Sequence, residues 1–86
     1  MIIKVLGPGC RSCVTLERVT REAVEALGIN ATVEKVEDYQ SIASYGLMRT
    51  PALVIDERVI FAGRVPSPKQ VRKIITAANA GLTDTP

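Results

Sequence analysis

Cys10 and Cys13 are the two cysteines of an 86-residue chain that has no histidine. They stand three apart in LGPGCRSCVTLE, residues 6–17. Thiolates attack disulfides, bind soft metals or, when buried as thiols, do neither. A C-x-x-C beside a βαβ pattern is a redox signature. A closed zinc site needs four ligands, and two cysteines without histidine supply half of them. For a metal, that leaves a site shared between two chains or a two-coordinate soft ion such as Cu(I). The opening MIIKVLG is too short an apolar run for a signal-peptide core or a membrane span, so a cytoplasmic location is expected. A reducing compartment disfavours a purely structural disulfide.

The elements around the pair decide what each sulfur can do. Residues 2–6 (IIKVL) are β-branched and mostly apolar, as in a strand covered on both faces, and Gly-Pro-Gly at 7–9 stops it. A helix starts at Cys10 or Ser12. Leu16, Val19, Ala23 and Leu27 form its apolar stripe, while Glu17–Arg21, Arg18–Glu22 and Arg21–Glu25 are i,i+4 charge pairs on the other side. Gly28 ends it. Cys13, three residues before Leu16, shares the buried side; Cys10 falls on the exposed lip of the first turn. Unpaired N–H groups and the helix dipole favour an anion there, and Arg11 adds to them. Cys10 is therefore the expected nucleophile and Cys13 the resolving thiol, with Arg11 as modulator.

Farther on, residues 31–36 alternate as a second strand. Asp38 caps a short helix holding Tyr39, Ile42 and Ala43, with Gly46 as its stop. ALVID at 52–56 and VIFA at 59–62 read as a hairpin turning at Asp56, Glu57 and Arg58. Ser67-Pro68-Lys69-Gln70 is a capping box with proline in the first helical position, followed by Val71, Ile74, Ile75 and Ala78 on the apolar face. The order is β-α-β-α-β-β-α, an α/β domain over residues 1–80 with a loose tail at 81–86. The βαβ start implies a parallel right-handed crossover, and the hairpin adds antiparallel strands, making a four-stranded mixed sheet flanked by three helices. Pro51 precedes the apolar strand, where a cis bond in the entering turn would suit; a trans proline at a strand edge is the alternative.

Composition excludes other functions. The chain is 47% hydrophobic and 23% charged with net charge +2, as in an ordinary globular domain. No run of like charge exceeds two residues, there is no Trp, and there is one Phe, so neither a nucleic acid nor an anionic membrane is an expected partner. No cofactor motif is present.

The C-x-x-C at a helix start (Cys10, Cys13), Thr50-Pro51 before the third strand, Gly63 after the fourth and the element order together resemble the thioredoxin superfamily. The compact start and the GPGCRSC wording resemble its small thioredoxin/glutaredoxin-like members of the redox-active disulfide type. The resemblance implies a protein disulfide oxidoreductase in cell redox homeostasis. Cys10 would be nucleophile and Cys13 resolver, beside a cis Pro51. The Thr50 backbone would bond the partner, and Gly63 would help form the partner groove. It further implies disulfide-containing protein substrates and an NAD(P)H-linked flavin reductase, with the protein working as a monomer. The chain departs from the family in having Gly9 where a tryptophan is usual, Arg11-Ser12 between the cysteines, and Lys4 as the only ionisable residue in a strand that usually buries an aspartate. Arg49 and Arg64 are candidates for a glutathione carboxylate, but Gly63-Arg64 lacks the acid that glutaredoxins use. A binding module that captures a soft metal or a specific partner through the same pair is the alternative from another class.

Overall fold

A computed structural model of the chain describes residues 1–9, 11–46 and 49–79. Cys10, the 47–48 stretch and the tail expected at 81–86 lie outside the described residues. The elements run β1 (Ile2–Leu6), α1 (Arg11–Leu27), β2 (Thr32–Val36), α2 (Tyr39–Ser44), β3 (Ala52–Ile55), β4 (Arg58–Ala62) and α3 (Pro68–Asn79). They build one four-stranded sheet in the order β2-β1-β3-β4. β1 pairs β2 in parallel, with Ile3 opposite Val33, and pairs β3 antiparallel, with Val5 opposite Leu53. This is the mixed α/β sheet with three helices that the residue pattern predicts.

Side-chain alternation in β1 and β3 sorts the core into two layers. Ile3, Val5, Leu53 and Ile55 face α1 and α3, where Leu16, Val19, Ala23, Val71 and Ile75 close over them. Leu6, Ala52 and Val54 face the other way, against Ile42 of α2. In β4 the alternation breaks. Leu53 pairs with Phe61 and Val54 with Val59, so Ile60 is one residue too many. This bulge lets both Ile60 and Phe61 lean on the larger core layer while Val59 and Ala62 contact the smaller one.

The caps form as their sequences dictate. Gln70 N–H donates to Ser67 Oγ at 3.3 Å, and Ser67 N–H donates to Gln70 Oε1 at 3.1 Å, completing the box at the start of α3. Asp38 accepts from Ser41 N–H at 2.8 Å, and the Ser41 side chain together with that N–H holds its carboxyl below the usual range. Of the three helical charge pairs, Glu17–Arg21 forms, at 3.0 Å. Arg21 also donates to Val33 O at 3.3 Å, which turns it toward β2 and away from Glu25. Arg18 makes no ion pair with Glu22 among the described residues.

The hairpin turn is tighter than expected: Asp56 and Glu57 alone make it, with φ of 47° and 69°, and Arg58 already belongs to β4. Two positive-φ central residues are the type I′ pattern that favours Asn-Gly, so Glu57 is held there against its preference. Its carboxylate accepts from Lys4 Nζ at 2.7 Å and from the Tyr45 hydroxyl at 3.2 Å, while Asp56 Oδ1 accepts from Ile2 N–H at 2.9 Å. The bonded ammonium holds the Glu57 carboxyl below its usual range, and the Glu57 and Tyr45 oxygens push Lys4 up.

Thr20 is fully buried in α1, and its Oγ1 finds no hydrogen-bond partner among the described residues. An unsatisfied buried hydroxyl costs stability that a methyl of the same size does not. Thr20→Val is expected to raise unfolding free energy by about 1 kcal/mol, read as a higher urea midpoint at unchanged slope. A lower midpoint would show that the hydroxyl is satisfied.

Candidate functional site

The parallel pairing of β1 with β2 brings their C-terminal ends side by side, the place where open α/β sheets put their chemistry. Gly7 N–H donates to Val36 O at 2.8 Å and so ties the loop after β1 to the end of β2. That loop feeds directly into α1. Cys13 lies in the first turn of the helix, on the same stripe as Leu16, and is 4% exposed. Its sulfur is in a disulfide, the oxidised state of the thiol. Cys10, the chain's other cysteine and the expected nucleophile, lies outside the described residues.

Gly7 is the residue on which the site closes. A Cβ placed there would overlap Cys13 Sγ, sit 3.0 Å from Cys13 Cβ and lie 3.8 Å from Thr50 Cβ. The strand end, the helix start and the segment entering β3 therefore converge on one point, which only a residue without a side chain leaves open. Reading Gly-Pro-Gly as a stop signal missed this. The clue was a glycine at the end of a buried strand, three residues before a cysteine.

Thr50 is half-buried and Pro51 buried, and the bond between them is cis. Pro51 O accepts from Gly63 N–H at 2.8 Å, so the segment entering β3 and the residue leaving β4 are joined at the same end of the sheet. Gly63 has a φ of +82°. A Cβ on it would lie 3.0 Å from Arg49 Cδ and 3.2 Å from Arg49 Cβ, which places the Arg49 stem along its surface. The structure thus brings Cys13 and Thr50 together around Gly7 and links Pro51 to Gly63. Arg11, the expected modulator, is exposed at the start of α1, where its carbonyl accepts from Thr15 Oγ1 at 2.9 Å.

One ionisable group at this end was not anticipated. Glu37, directly after β2, places Oε2 3.0 Å from where a Cβ on Gly9 would lie, next in sequence to Cys10. It pairs with Lys35 Nζ, at 3.9 Å. The position after the second strand of a βαβ unit, beside the loop leaving the first, was the signal available in the sequence. Lys4, the ionisable residue of β1, is engaged instead with Glu57 and Tyr45. No group of three or more potential metal ligands occurs among the described residues. No helix among them is long and apolar enough to cross a membrane.

Cys13, oxidised to a disulfide at a helix start, thus stands beside a cis Thr-Pro segment that Gly63 joins from the end of β4. A family model for the thioredoxin domain matches residues 1–76. Over 76 residues the chain is 40% identical to a thioredoxin of Methanothermobacter thermautotrophicus, covering 88% of this chain and 99% of that protein. Over 73 residues it is 33% identical to a thioredoxin of Methanocaldococcus jannaschii, covering 85% of this chain and 84% of that one.

Proposed function

The chain belongs to the thioredoxin domain family, and from that premise we propose that it is a protein thiol–disulfide oxidoreductase working through Cys10 and Cys13. The Cys10 thiolate attacks one sulfur of a partner disulfide, forms a mixed disulfide and expels the partner's other sulfur as a thiolate. Cys13, once deprotonated, attacks the Cys10 sulfur. A Cys10–Cys13 bond forms, the mixed disulfide breaks, and the partner leaves as a dithiol carrying two electrons. The α1 N-terminus and Arg11 favour the attacking thiolate; burial holds Cys13 protonated until the mixed disulfide is in place. Thr50 presents its backbone to the partner, beside Pro51 and Gly63. The protein works as a monomer in the cytoplasm, where an NAD(P)H-linked flavin reductase returns the electrons.

The observation that carries this reading is the convergence of Cys13 and Thr50 on Gly7. The test is insulin reduction with dithiothreitol as donor. Wild type should turn over, while Cys13→Ser should lose turnover and accumulate a covalent mixed disulfide through Cys10, visible on non-reducing gels. No turnover by wild type together with tight Cu(I) uptake would overturn the reading in favour of a binding module.

A further inference from the structure

Charge is distributed unevenly along the fold. Residues 49–79 carry six cations and two carboxylates, Asp56 and Glu57. Both acids sit in the β3–β4 turn and are already engaged, by Ile2 N–H and by Lys4. That turn is at the other end of β3 from Pro51, roughly 17 Å away at the rise of an extended chain. Lys4, Arg21 and Lys35 have carboxylate partners. Arg49 and Arg64 are exposed and have none among the described residues.

These two arginines are not loose. The Arg49 stem runs along Gly63, and the Arg64 guanidinium lies 5.4 Å from the centre of the Phe61 ring. A hydrocarbon stem on a bare backbone and a cation over an aromatic face both restrain the fork that pairs with a carboxylate. They flank Gly63, whose N–H is bonded to Pro51 O. On α1, Val14 follows Cys13 in sequence and is 51% exposed.

The geometry points to a substrate class: polypeptides whose disulfide is flanked by acidic residues, with Arg49 and Arg64 selecting them at the Thr50–Pro51 and Gly63 edge. The occupant is a protein segment, the substrate of that exchange reading, whose acidic side chains pair with the two restrained guanidiniums. This inference rests on the disulfide-exchange reading above and names its substrate. Exposed charge pairs act chiefly on encounter rate, so the preference belongs in kcat/KM and fades with salt.

The experiment uses two synthetic peptides, each closed by one disulfide and identical except for Asp and Glu or Lys at the flanking positions. The acidic peptide should be reduced about tenfold faster in kcat/KM at low ionic strength, the difference shrinking severalfold in about 0.5 M salt. The Arg49→Glu/Arg64→Glu pair should reverse the order, and the Arg49→Gln/Arg64→Gln pair should level it. Arg18→Glu, an exposed reversal two turns down α1 from Arg11, should leave the order intact. Equal reduction of both peptides by wild type, an order untouched by the paired reversal, or glutathione disulfide outpacing the acidic peptide would each overturn the inference while leaving exchange chemistry standing. Reduction of neither peptide, nor of insulin, would remove both.

Discussion

Gly7→Ala is expected to lose about 100-fold in insulin reduction and about 2 kcal/mol in stability. The methyl enters space already held by Cys13 Sγ, with Cys13 Cβ 3.0 Å away and Thr50 Cβ closing the far side. Gly7 cannot retreat freely, because its N–H is bonded to Val36 O at 2.8 Å. Overpacking of this kind costs about 1–3 kcal/mol. Displacing a reacting atom by about 1 Å can cost about 100-fold in rate. The source of the effect is tested by a double-mutant cycle under reducing conditions, comparing wild type, Gly7→Ala, Cys13→Ala and the double variant in urea. Removing the sulfur should recover most of the lost stability, a coupling above about 1 kcal/mol. Additive losses would show that the methyl is resisted by something other than Cys13.

Leu16→Ala should be the costliest single truncation near the site. Leu16 is completely buried, one turn along α1 from Cys13, among Ile3, Val5, Leu53 and Val71. Emptying such a position costs about 2–5 kcal/mol, against a total of about 5–15 kcal/mol for a domain of ordinary stability. A loss of about 3 kcal/mol corresponds to a Tm lower by about 12 to 24 °C at this chain length. Val14→Ala, in the same turn but half-exposed, should stay within about 0.5 kcal/mol of wild type. If both variants melt alike, α1 is not anchored through its Leu16 side.

What could be read from the chain, and what could not, divides by distance along it. The Ser67–Gln70 box, the Asp38 cap and the Leu16–Val19–Ala23 stripe were legible because each is complete within a few residues. The parallel β1–β2 pair and the β3–β4 hairpin followed from the spacing of the elements, since connections of those lengths leave few topologies. Thr50-Pro51 stood out by its place before an apolar strand. Three features needed the folded chain. Gly7 matters through a sulfur six residues away, and Glu37 through a loop nearly thirty residues earlier in the chain. The extra residue at Ile60 exists only relative to its β3 neighbours; in isolation RVIFA reads as a plain strand. Arg21 illustrates the opposite error, because helix spacing alone offered it Glu25, whereas the strand alongside supplied the Val33 carbonyl.

The sheet ends on β2 and β4, beyond which no further strand pairs among the described residues. Such borders invite a second molecule to add itself and, repeated, to grow fibres. Each border is spoiled differently. On β2, Glu34 and Lys35 are exposed side by side in the middle of the strand, so a stacked copy would have to accommodate ionised side chains along its whole contact. On β4, the surplus Ile60 throws the outer row of donors and acceptors out of step, and no straight strand can match it. Two unlike devices, ionised side chains on one border and a mismatched row on the other, thus keep the open sheet from adding a copy of itself.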